Sequence, residues 1–167
     1  MTIRTIITYP DPILRKKAAK ITTFDAELTK LAADMAETMF NAPGVGLAAN
    51  QIGIARQLIV VDVSEEEDGR DYMTLVNPVI SGGEGSVMGD EGCLSVLEYS
   101  CKVKRFEKIH VEAQDLKGEP VSFDAEARFA RIIQHEVDHL NGILFIDRIS
   151  SLKRGLYKKK LAKLLKS

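Results

Sequence analysis

The order of helical and strand-like segments predicts an α+β fold, and three observations carry that expectation. Leu28, Leu31, Ala32, Met35 and Met39 recur at helical spacing, and the run ends at Asn41-Ala42-Pro43-Gly44, a turn-forming stretch. Strand-like runs follow at 57–63, 73–80, 100–104 and 108–114 with no helical pattern between them. A second helical stripe, made of Phe129, Ile132, Ile133, Val137 and Leu140, comes only after the strands. Helices segregated from strands in this way fit an α+β domain rather than the alternation that builds a parallel sheet.

Each element has local signals. The first helix is closed by Pro43 and Gly44. Glu65 to Gly69 reads as a solvated acidic turn. Asp124 and Glu126 suit the first turn of the second helix and Gly142 its stop, which predicts a helix over 124–141. Ser150 or Ser151 can cap a third helix at about 151–166, carrying Leu152, Leu156, Leu161, Leu164 and Leu165. No repeat or low-complexity linker divides the chain, so the 167 residues predict one catalytic domain over 1–167.

Composition narrows the class. Lys plus Arg number 23 and Asp plus Glu 24, a balance that points to no DNA or membrane partner. No apolar run approaches membrane-spanning length, and the opening residues lack a signal-peptide core. Two cysteines do not make a disulfide framework, and a cytoplasmic location would keep both as thiols. A Cys93–Cys101 disulfide is the competing possibility.

The chemistry concentrates in His135-Glu136-Val137-Asp138-His139. Two imidazoles four positions apart project from one side of a helix, with a carboxylate beside the first. That arrangement holds a divalent metal and activates a water on it. Glu136 falls inside the apolar stripe, where a carboxylate is expensive without a task. The alternative is a buried amphipathic helix with hydrogen-bonded histidines.

A third ligand has to come from upstream. Beyond His139 there is no further His or Cys, and the only acidic residue is Asp147; Phe145 stands where a downstream histidine would complete an extended motif. The choices are Cys93, Cys101, His110 or a carboxylate. Cys101 and His110 lie in strand-like runs, where such residues are usually structural. Cys93, in the glycine-flanked run Gly89-Asp90-Glu91-Gly92-Cys93-Leu94-Ser95, reads as a loop cysteine able to approach a helix and ionise on a metal.

Three segments, Gly44-Val45-Gly46-Leu47-Ala48-Ala49-Asn50-Gln51, Glu91-Gly92-Cys93-Leu94-Ser95 and Gln134-His135-Glu136-Val137-Asp138-His139-Leu140, resemble in order the signature motifs of bacterial peptide deformylases. Tyr9-Pro10-Asp11-Pro12-Ile13-Leu14-Arg15 and Asn77-Pro78 extend the likeness over essentially the whole chain. The resemblance implies antiparallel sheets packed around a central metal helix, and removal of the formyl group from N-formylmethionyl nascent peptides. It implies one divalent ion on Cys93, His135 and His139, ferrous in cells, although this donor set also suits Zn2+, Ni2+ or Co2+. It makes Glu136 the proton carrier, and Gln51 and the Leu94 N–H donors to the oxyanion.

Gly44, Val45, Gly46, Arg128 and Ile132 are then candidates for holding the peptide. Glu91 is a candidate acceptor for a ligand histidine's second N–H. Asp138, turned away from the apolar stripe, is a candidate partner for a cation, with Arg105 at a basic position of the family. Three departures stand out: Leu97 replaces a common proline, Ser100 a common arginine, and Arg128 a leucine that lines the methionine pocket. Arg128 could narrow that pocket, reach its rim, or grip a carboxylate. Lys153, Arg154, Lys158, Lys159, Lys160, Lys163 and Lys166 make the third helix basic, either as a solvated face or as a surface for ribosomal RNA. A general metallopeptidase and a non-catalytic metal-stabilised binding protein are the other readings. The first would cleave unformylated peptides; the second would have no need of Glu136 or Gln51.

Overall fold

The computed structural model describes residues 2–166; Met1 and Ser167, the outermost residues of the predicted domain, lie outside the described residues. A five-stranded antiparallel sheet is ordered β1-β2-β3-β6-β7, with β1 at Gly46–Ala48, β2 at Leu58–Asp62, β3 at Tyr72–Glu84, β6 at Lys108–Gln114 and β7 at Pro120–Glu126. A separate hairpin pairs β4 (Val87–Cys93) with β5 (Val96–Arg105). Three α-helices complete the fold among the described residues: α1 at Ala26–Asn41, α2 at Ala127–Leu140 and α3 at Ser151–Lys166.

The sheet separates two apolar layers, and β2 shows how. All of Leu58-Ile59-Val60-Val61 is buried. Ile59 and Val61 pack with Ile133 and Leu140 of α2, whereas Leu58 and Val60 pack with Leu28, Met35 and Met39 of α1. The period of two along a strand sends alternate side chains to opposite faces. A third apolar cluster joins Val96 and Val103 of β5 to Phe145, and to Tyr157 and Leu161 of α3. The sheet covers the apolar side of α2, and the hairpin reaches α2 through Cys93, Arg105 and Glu91.

Several boundaries differ from the sequence expectation: β3 runs on to Glu84 and β5 begins at Val96, beyond the expected 73–80 and 100–104, and two further differences bear on the site. The second helix starts at Ala127, not at 124, because β6 and β7 stay paired through Lys108↔Glu126. Asp124 and Glu126 therefore belong to β7. Backbone pairing with β6 outweighs a local preference for acidic residues in a first helical turn. Residues 89–93 form most of β4 rather than a loop, so Cys93 ends a strand and Leu94-Ser95 turn into β5. Gly89 and Gly92 have weak strand propensity, and the pairing with β5 overrides it.

Candidate metal centre and active site

His135 and His139 are buried on α2, one turn apart. The end of β4 brings the Cys93 sulfur to 3.3 Å from His139 Nε2, and the two histidine Nε2 atoms stand 3.3 Å apart. All three ligand atoms lie within 4.8 Å of one another. Neighbouring ligands of one tetrahedral ion are separated by about 3.3 Å for two nitrogens and about 3.6 Å for nitrogen and sulfur, given ordinary metal–ligand lengths. The donor set therefore fits a single divalent ion.

The surroundings prepare each donor. His135 Nδ1 lies 2.9 Å from Glu91 Oε1. A carboxylate only accepts, so Nδ1 carries a proton and Nε2 is the ring atom left for an ion beside the other two ligands. Burial pushes the Glu91 carboxyl up, but hydrogen bonds from Arg105 and His135 outweigh it and hold the pKa at about 2. Burial pushes His139 well below its ordinary value, which keeps its ring neutral. The Cys93 sulfur accepts from the Ser95 N–H at 3.4 Å and from Gln51 Nε2 at 3.6 Å. Phe145 stacks on the His135 ring with centroids 6.0 Å apart. Cys93 and Cys101 are free thiols, so the competing disulfide is absent.

Gln51 sits in a short 3-10 turn, Ala49–Ile52, directly after β1. Its Oε1 accepts from the Ala48 N–H at 3.0 Å, which turns Nε2 toward Cys93 and the Ser95 hydroxyl, 3.0 Å away. Glu136 is buried, and its Oε1 has no hydrogen-bond partner among the described residues. Burial raises its carboxyl to about 7. Gly46 on β1 lies against the same carboxylate: a Cβ there would stand 2.6 Å from Glu136 Oε2.

A cleft of about 430 Å³ opens over these groups. Gly44, Val45, Gly46, Gln51, Leu94, Arg128 and Ile132 line it together with Glu91, Cys93, His135 and Glu136. Arg128 is exposed at this cleft. Arg105 and Asp138 stand behind the centre instead. Arg105 is buried, giving two hydrogen bonds of 2.8 Å to Glu91 and one of 2.6 Å to Asp138. Asp138 faces away from the sheet, as its position predicts, but it is buried under Arg105 and Arg148. His110 lies apart on β6, with Nδ1 2.8 Å from Asp124 of β7, and Asp147 pairs with Arg15.

Sequence reasoning passed over Arg131, Arg148 and Ser95. Arg131 could have been found, since it precedes His135 by four residues and so shares its helix face. Arg148 and Ser95 carry no such local signal.

Comparison with known proteins finds relatives over nearly the whole chain. The family described as Polypeptide deformylase matches residues 3–155. The chain is 56% identical over 164 residues to the peptide deformylase of Desulfotalea psychrophila, covering 98% of this chain and 97% of that one. The crystal structure of a peptide deformylase from Legionella pneumophila superposes with a TM-score of 0.91 at 42% identity, over 99% of this chain and 96% of the other. The peptide deformylase of Thermus thermophilus gives a TM-score of 0.89 at 43% identity, over 99% and 97%. A family match over residues 3–155 and 56% identity to one relative over nearly the full length of both chains settle membership: the chain belongs to the polypeptide deformylase family.

Proposed function

We propose that this chain hydrolyses the formamide of N-formylmethionyl nascent peptides in the cytoplasm, releasing formate and a free amino terminus. What supports the reading is the convergence of Cys93, His135 and His139 beside two groups a purely structural metal would not need. These are the buried carboxylate of Glu136 and the oriented amide of Gln51.

Cys93, His135 and His139 would hold a divalent ion, which would supply Lewis acidity and make a water easier to deprotonate, toward a pKa of ~7. Glu136 takes the proton of the attacking water, for which a carboxyl pKa of about 7 is suited. Water oxygen bonds to the formyl carbon, and the carbonyl oxygen takes on negative charge. The Gln51 Nε2–H and the Leu94 N–H donate to that oxygen. Glu136 then passes its proton to the nitrogen as the C–N bond breaks. Glycine at 44 and 46 lets the loop and β1 lie close to Leu94 and Glu136. Val45 and Ile132 contact the formylmethionine side chain. Arg128 at the cleft grips an acidic side chain further along the peptide.

The metal in cells is ferrous iron, with Zn2+, Ni2+ or Co2+ as substitutes in purified protein. The basic outer face of α3 contacts ribosomal RNA. The decisive measurement is formate release from formyl-Met-Ala-Ser by metal-reconstituted protein, prepared anaerobically and in air. Release that is lost in air and kept anaerobically is the expected result. Cleavage of the unformylated peptide, or no formate at all, would refute the reading.

A further inference from the structure

Arg131 is the most extensively bonded side chain beside the centre that no step above uses. It lies on α2 one turn before His135 and is largely buried. Its Nη1 donates to Glu91 Oε2 at 2.6 Å, to the Val103 carbonyl at 2.9 Å and to the Gly89 carbonyl at 3.4 Å. Its Nη2 donates to the Val87 carbonyl at 2.8 Å. These acceptors belong to both strands of the hairpin whose first strand ends in Cys93. One of them is the carboxylate that receives the His135 Nδ1–H.

Gly89 is matched to this grip. A Cβ built there would stand 2.9 Å from Arg131 Cζ and Nε, so the guanidinium rests on bare strand backbone. A side chain at this position would force the guanidinium to shift from where it lies.

The hairpin is thus pinned to α2 on both sides of His135. After His135, Arg105 of β5 reaches Asp138. Before His135, Arg131 reaches β4 and β5. Without Arg131 the hairpin keeps its ties at Phe106–Gln134, Glu91–His135 and Arg105–Asp138 but loses the one a full turn before His135, which leaves the β4 strand and the Cys93 sulfur less tightly held. Glu91 would keep Arg105 but lose the bond to Oε2.

We propose that Arg131 is a positioning residue: its grip on Glu91 and on both strands of the hairpin sets the Cys93 sulfur against the two histidines, and thereby sets metal affinity and coordination geometry. This rests on the reading of Cys93, His135 and His139 as metal ligands.

The test uses the full chain loaded with Co2+. Its affinity is measured by competition with a chelator and its geometry by visible absorption, alongside the melting temperature of the metal-free protein. Arg131→Met should weaken binding about 10–100-fold, the usual range for groups that orient metal ligands, and alter the Co2+ bands. Gly89→Ala removes no charge yet should reproduce both effects by displacing the guanidinium. Arg131→Lys should restore only part, because an ammonium cannot span both strands. If Arg131→Met fails to fold, Gly89→Ala still decides. Parent-like affinity and spectrum in the variants, with only the melting temperature lowered, would overturn the proposal. A parent protein that takes up no Co2+ would overturn the ligand assignment as well.

Discussion

Glu136 and Glu91 lie in one cluster and are shifted in opposite directions. Glu136 has no cation bonded to it among the described residues, so burial leaves it at about 7. Glu91 is also buried, but Arg105, His135 and Arg131 all bond to it, and it stays ionised down to about 2. One carboxyl can exchange a proton near neutrality, and the other remains a permanent acceptor. Glu136→Gln should lower formate release by ~10²–10⁴ while the protein still binds one equivalent of metal. Gln51→Ala should lower turnover by ~10²–10³ with metal retained, as loss of an oxyanion donor does. Full turnover in either variant would remove the role assigned to it. Arg128→Leu should reduce kcat/KM for formylated peptides with an acidic second or third residue and leave neutral peptides unchanged. Equal effects on both sets would show that the arginine merely faces solvent.

The β4–β5 hairpin and α3 show how segments serve the site without entering it. The hairpin delivers Cys93, and α3 supports the hairpin through Tyr157 and Leu161, whose side chains are buried against β5. Tyr157 also donates to the Leu97 carbonyl at 3.0 Å. Deleting α3 would therefore uncover the third apolar cluster and confuse loss of binding with loss of folding. Reversing charge on the outer face avoids this. Lys158, Lys159 and Lys166 are exposed. Replacing the three with Glu should weaken ribosome association in a salt-dependent manner and leave activity on short peptides unchanged. Ribosome affinity equal to the parent at low salt would exclude this face.

Long-range ties link the chain ends to the layers. Asp34 of α1 is buried and accepts from the Thr2 N–H at 2.8 Å and from Arg4. The Thr2 bond, reinforced by the Arg4 guanidinium, holds its carboxyl below the ordinary value of 3.8. A carboxylate whose pKa falls on folding stabilises the fold above its unfolded pKa, and that contribution is lost as pH drops through the folded value. Asp34→Asn should therefore lower the melting temperature at neutral pH. The gap to the parent should close below pH ~4; a constant gap would refute the assignment. The metal acts on the same scale. Free metal at a hundred times Kd stabilises the folded state by ~2.7 kcal/mol. For a chain of this length that is about 5–10 °C, which a chelator should abolish. No shift on chelation would argue against a metal bound to the folded state alone.

Much was legible in the chain alone, because it is local. The α1 and α2 stripes follow from a period of 3.6 residues, and the histidine pair from the i, i+4 geometry of one helix. The limits of β6 and α3 were also plain, since alternation and a serine cap mark them. What depended on distant partners was not. The glycine-flanked run around Cys93 already favoured that thiol over Cys101, and the pairing of β4 with β5 is what sets it against the helix. The start of α2 shifted because β7 pairs with β6 through Glu126. The ion-pair cluster of Glu91, Arg105, Arg131 and Asp138 joins residues up to 47 positions apart (91 to 138); Glu91, Arg105 and Asp138 were candidates from the sequence, whereas the place of Arg131 among them depends on how the hairpin meets α2. Side-chain direction along a helix or strand is set by neighbouring dihedrals, which a linear chain displays. Contact between segments depends on sheet register and layer packing, which arise only once the chain has folded.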